Sequence, residues 1–140
     1  MRNTDGSFSR GLKWGLLLAI PLWAIILFPL LAAEPPACRD GVCVMQGPGG
    51  KVRDWKLHVQ LNDLRGARFV VPAGATCASA CAIATGLGLY IGADFSIANS
   101  AVFVPHNRKA IQKETRMSHA FRELMLNNKP FHYGTSIGGN

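Results

Sequence analysis

The 140-residue sequence contains no C-x-x-C pair, no G-x-G-x-x-G run, no glycine loop followed by Lys-Ser or Lys-Thr, and no internal repeat. The first absence argues against a structural zinc site: the four cysteines, Cys38, Cys43, Cys77 and Cys81, stand at C-x4-C and C-x3-C spacings. The next two remove the common phosphate-cradling loops, so no nucleotide, metal or other cofactor is expected. Acidic residues are scarce, with 8 Asp+Glu against 15 Lys+Arg. From residue 34 onward the balance is 12 Lys+Arg to 7 Asp+Glu, but the cations are scattered and no series of aromatic side chains is interleaved with them. Such scatter reads as a solvated face, and no nucleic-acid partner is expected.

One long hydrophobic run is present. Residues 14–33, WGLLLAIPLWAIILFPLLAA, are uncharged for 20 positions, long enough to span a bilayer. Arg2, Arg10 and Lys13 precede the run against Asp5 alone, which keeps residues 1–13 in the cytoplasm and sends the remainder across the membrane. The same pattern describes a cleaved signal peptide, although Leu31 at the −3 position is large where a small residue is expected. Either way, residues 34–140 are expected outside the cytoplasm, held to the membrane through residues 14–33 or released. Export makes disulfides the natural use of the four cysteines. Local bridges, cross-pairs and free thiols all remain open, since four cysteines allow three connectivities.

The exported segment starts with the stiff linker Glu34-Pro35-Pro36. A strand over 41–46 runs into the glycine loop GPGG at 47–50, and a helix over 51–64 follows, with Val52, Trp55 and Val59 at helical spacing. Residues 67–71 read as a second strand. Residues 78–85 read as a small-residue helix without charge, which must be buried. Residues 89–91 and 101–104 are further strand candidates. A helix over 108–126 and a loose tail from Tyr133 complete the chain. This alternation predicts an α/β domain with a mostly parallel sheet and crossover helices.

Within that order, Ser79 stands between two cysteines in GATCASACA, where a helix is expected to start after an extended segment. A serine there meets free helix N–H groups and the positive end of the helix dipole, which is part of what acyl transfer requires. A serine among alanines also serves as a small residue in close packing, and the stretch alone does not separate the two uses.

Three motifs taken together, GPGG at 47–50, CASAC at 77–81 and AVFVPH at 101–106, resemble the Clp-protease-like branch of the ClpP/crotonase superfamily, in particular its exported bacterial members. The separations, 29 residues from Gly50 to Ser79 and 27 from Ser79 to His106, are similar to those of that family. The resemblance covers residues 42–107 and implies a ClpP/crotonase-like fold. It also implies a serine hydrolase acting on peptides or proteins: Ser79 as nucleophile, His106 as general base, and the N–H groups of Gly50 and Ala80 as oxyanion hole. The location it implies is the bacterial inner membrane with the domain in the periplasm, or the periplasm alone after cleavage.

The chain departs from the family pattern in two places. Gly47 replaces the serine of S-P-G-G. The family's acidic third member follows the histidine, yet the 34 residues after His106 hold no aspartate, only Glu114 and Glu123, which read as solvent-facing helix charges. A serine-lysine arrangement would need Lys51 or Lys109, neither at a matching position. A chain this short for the fold would leave sheet surfaces for a second copy, so a homo-oligomer, or a non-catalytic binding module of the same fold, stands beside the enzyme reading. His58, His119 and His132 read as surface or boundary residues and Trp55 as core.

Overall fold

The computed structural model describes residues 34–135; the apolar run 14–33 and residues 136–140 lie outside them. Among the described residues no helix is long and apolar enough to cross a membrane. The elements are β1 (Val42–Val44), α1 (Val52–Leu64), β2 (Arg68–Val71), β3 (Thr76–Ala78), α2 (Ala80–Ile91), β4 (Asp94–Ile97), β5 (Val102–Val104), α3 (Arg108–Lys113) and α4 (His119–Leu126).

The protein is α/β with parallel strands in two small open sheets, ordered β1-β2-β4 and β3-β5. β1 and β2 pair from Val42 opposite Arg68 to Val44 opposite Val70, and α1 makes the connection that parallel neighbours need. Trp55 and Val59, one helical turn apart, are the residues α1 buries. Phe69 and Val71 alternate inward from β2. Phe69 lies opposite Phe95 of β4, and their rings stack at 4.8 Å.

α2 is the central helix. Its residues Ala80 to Gly88 are buried, as expected of an uncharged run of small residues. Small side chains let neighbours approach closely: a Cβ on Gly88 would overlap the Phe95 ring. A second aromatic group, Phe103, Phe121, Phe131 and Tyr133, packs with ring centroids 5.2–5.5 Å apart, mostly edge to face.

Five local expectations are corrected. Residues 89–91 are the last turn of α2, not a strand, and the helix ends at Gly92 in the left-handed conformation. Three strand-favouring residues do not outweigh the continuous burial of the helix that carries them. The strand falls instead at Asp94–Ile97, where alternation is masked by Asp94 and Ser96. Ala78 ends β3, so α2 starts two residues later than expected.

The helix expected over 108–126 is two helices, broken where Glu114 turns extended with ψ 104°. Glu114 is not solvent-facing: it is 8% exposed and ion-paired with Lys56 of α1. Glu123 does lie at the surface, beside His119. Residues 133–135 are anchored, since Tyr133 packs on Phe121 and Thr135 exchanges hydrogen bonds with Ile97 at 3.0 Å.

Gly88→Ala is expected to displace Phe95 from its stack on Phe69 and to destabilise the domain by about 1–3 kcal/mol, the usual cost of overpacking, measured by urea unfolding.

Candidate functional site

The chain after β1 leaves one sheet for the other. Met45 still donates to Val70 of β2 at 2.8 Å. Two residues later Gly47 pairs in parallel with Cys77 of β3, donating to Thr76 at 2.8 Å and accepting from Ala78 at 3.0 Å. The glycine loop is thereby pinned beside β3 just before Ser79. On the other side of β3, β5 runs parallel with Ala78 opposite Val104. The Ser79 N–H continues that ladder to the Val104 carbonyl at 2.9 Å. The loop, Ser79 and the residues after β5 therefore meet at the C-terminal ends of three neighbouring extended segments.

Ser79 occupies φ 53°, ψ −116°, between the last residue of β3 and the first of α2. A non-glycine residue with positive φ there costs about 1–3 kcal/mol and persists only where the surroundings enforce it. Two features enforce it. The Cys77–Cys81 disulfide spans the serine with both cysteines fully buried. Gly49, itself at φ 93°, presses on the same turn: a Cβ there would lie 2.6 Å from the Ala78 carbonyl oxygen, 2.8 Å from the Ser79 Cβ and 3.0 Å from the Ala80 nitrogen. Thr85, one turn into α2, donates to the Cys81 carbonyl at 3.0 Å and lies 3.6 Å from the Cys77 sulfur, so its buried hydroxyl is satisfied beside the bridge.

Ser79 is partly exposed, and its side chain does not cap α2. Among the described residues neither the Gly50 N–H nor the Ala80 N–H donates to another backbone group. Gly50 is exposed and Ala80 fully buried, so an incoming oxygen meets the Gly50 N–H first. The β3–β5 register ends with Ala78 opposite Val104, and His106 follows two residues past β5. His106 is exposed, and among the described residues no hydrogen bond joins its ring to Ser79 Oγ. Asn107 follows in the left-handed conformation, its side chain accepting from Ala110 at 3.3 Å to start α3. Lys51 and Lys109 are exposed, and neither bonds to Ser79. Glu114 is held by Lys56.

The four cysteines form two local disulfides, Cys38–Cys43 and Cys77–Cys81. Sequence reasoning singled out Gly50 and passed over Gly49, whose contact with Ser79 is the closer constraint. The consecutive glycines were the available signal, but choosing between them required the crossing between sheets. It read His58 as a surface or boundary residue and did not single out Asn62: His58 Nε2 lies 3.7 Å from the Cys38 sulfur, and Asn62, four residues further along α1, bonds to His58.

No protein-family model matches the chain, and no curated protein or solved structure matches it.

Gly49→Ala is expected to push the Ala78–Ala80 turn aside and to lower stability by about 1–3 kcal/mol. Ser79→Gly is expected to raise stability by about 1 kcal/mol, the relieved strain less the greater unfolded-state entropy of glycine. Denaturant melts of the two variants beside the parent read both signs.

Proposed function

We propose that this protein is a serine hydrolase of the ClpP-like kind, cleaving peptide bonds through an acyl-enzyme at Ser79. The observation that carries this reading is the backbone of Ser79: a strained strand-to-helix turn that lifts a hydroxyl at the mouth of a helix N-terminus, as a nucleophile requires. The N–H groups of Gly50 and Ala80, unpaired in the backbone, support an oxyanion site, and no cofactor is needed for this chemistry.

In the proposed mechanism His106 swings from its exposed position to accept the Ser79 hydroxyl proton as Oγ attacks the peptide carbonyl. The carbonyl oxygen, now negative, takes hydrogen bonds from Gly50 and Ala80. His106 then gives the proton to the leaving amine, and water, deprotonated by the same ring, releases the acyl group. Among the described residues no carboxylate is paired with His106, so turnover is expected to be slow, by about 10⁴ relative to a complete triad. The apolar run at 14–33 supports placing this domain at the outer face of a bacterial inner membrane, or free in the periplasm if the run is cleaved. Leu57, Leu61 and Leu64 stand 43%, 52% and 84% exposed along α1, which favours a second copy of the chain as cover.

A second reading, a membrane-tethered binding module of the same fold, is favoured by one observation: His106 is not hydrogen-bonded to Ser79, and the nearest carboxylate in sequence is committed to Lys56. Turnover of an activated ester and of a chromogenic peptide separates the two. The enzyme reading expects Ser79→Ala to abolish turnover with an unchanged melting curve and His106→Ala to remove most of it. Equal residual rates in parent and Ser79→Ala would leave the binding module.

A further inference from the structure

Cys38–Cys43 is flanked by side chains that the hydrolase reading does not use. His58 of α1 places Nε2 3.7 Å from the Cys38 sulfur. Asn62, one turn further along α1, donates its side-chain amide to the His58 carbonyl at 2.7 Å, which identifies the nitrogen end of that amide. The same nitrogen lies 3.4 Å from His58 Nδ1. An amide nitrogen only donates, so Nδ1 accepts, and the proton of the neutral imidazole sits on Nε2, facing sulfur. Partial burial pushes the His58 pKa below its ordinary value and keeps the ring neutral.

The donor atoms of Cys38, Cys43 and His58 lie within 4.8 Å of one another, close enough for a metal once the bridge is reduced. The tautomer argues against that use. An imidazole that accepts at Nδ1 and carries hydrogen at Nε2 offers no lone pair on the sulfur side; it offers a hydrogen bond to a thiolate.

The two sulfurs are also unequal. Cys43 is fully buried and Cys38 partly exposed, so an incoming thiolate reaches Cys38. Beside Cys38 an open groove of about 480 Å³ runs past Pro36, Arg39, Val42 and Val44. It follows the outer side of β1, an edge strand. Met45 bonds inward to β2, so by alternation Val44 turns its N–H and C=O toward the groove. Val42 is already paired on that side with Arg39, at 2.9 Å in both directions, so an extended chain in the groove pairs with β1 through Val44 alone.

We propose that Cys38–Cys43 is an exchangeable disulfide that oxidises a cysteine pair on an extended polypeptide lying along β1. One thiolate of that pair attacks the Cys38 sulfur; the Cys38–Cys43 bond breaks and its electrons leave with Cys43. The polypeptide's second thiolate attacks its own sulfur in the mixed disulfide, and Cys38 departs as a thiolate, accepting the His58 Nε2–H. Two electrons pass to the protein, which gains two thiols, and the polypeptide gains one disulfide. The two protons released by the dithiol return through water to Cys43 and Cys38.

The test mixes the full-length chain in mild detergent with a large excess of a reduced two-cysteine peptide, quenches with an alkylating agent and maps the labelled cysteines by mass spectrometry. Cys38 and Cys43 are expected to open first, with Cys77–Cys81 still closed. His58→Leu is expected to slow release of the oxidised peptide from Cys38 about fivefold, the loss of one hydrogen bond to the departing Cys38 thiolate, so that peptide-bound Cys38 accumulates before the quench. His58→Gln, which keeps an N–H near the Nε2 position, should retain most of the rate, and Cys43→Ser, whose Cys38 is a free thiol with no bond to exchange, should oxidise no peptide. Opening of both bridges at one rate, or equal rates in the parent and both His58 variants, would overturn the proposal. So would stoichiometric Zn²⁺ binding by the reduced chain that His58→Leu abolishes, which would assign the three groups to a metal.

Discussion

The arrangement around Ser79 depends on one close approach, that of the Gly49 backbone to the Ala78–Ser79–Ala80 turn. No side chain fits between them. The contact exists because the chain changes sheets between Met45 and Gly47, which carries the glycine loop off the edge of the first sheet and lays it on β3 of the second. β5 closes the other flank. Ser79 is thus held from both sides, and its positive φ follows from that enclosure. The same crowding explains the composition of CASACAIATG: α2 is buried along Ala80–Gly88, with neighbours close enough that larger residues would be excluded.

The two disulfides do different physical work. Cys77–Cys81 is fully buried across the strained turn, where it opposes relaxation of Ser79 and has no access to solvent thiols. Cys38–Cys43 closes a short loop before the edge strand, with one sulfur partly exposed and a neutral imidazole turned toward it. A structural bridge and an exchangeable one in one small domain is a consistent division: burial protects the first, and the exposure of Cys38 near an open groove serves the second.

Much of this was legible in the sequence. The alternation of apolar runs with a helical Val52–Trp55–Val59 pattern gave β1, α1 and β2 almost to the residue, and the uncharged run of small residues announced a buried helix before a serine at its start could be interpreted. β4 was missed because Asp94 and Ser96 break its apolar signal, and α2 was cut short because Leu89–Ile91 resemble a strand in isolation. Glu114 was misread because helical spacing cannot reveal that the helix breaks there and that Lys56, 58 positions earlier, draws the carboxylate inward. Motif order pointed to the Ser79 and His106 neighbourhood, and strand register places their segments side by side. Among the described residues no hydrogen bond joins the two side chains, and motif spacing does not encode one.

The most direct test of the central claim, that Ser79 is an activated nucleophile, is reaction of the folded full-length chain with a fluorophosphonate, followed by peptide mapping of the adduct. The account predicts a single phosphonylated residue, Ser79, whose labelling falls when Gly49 is replaced by alanine and disappears after denaturation. A folded chain that stays unlabelled at Ser79, or labels equally before and after unfolding, would contradict it and leave the serine as packing.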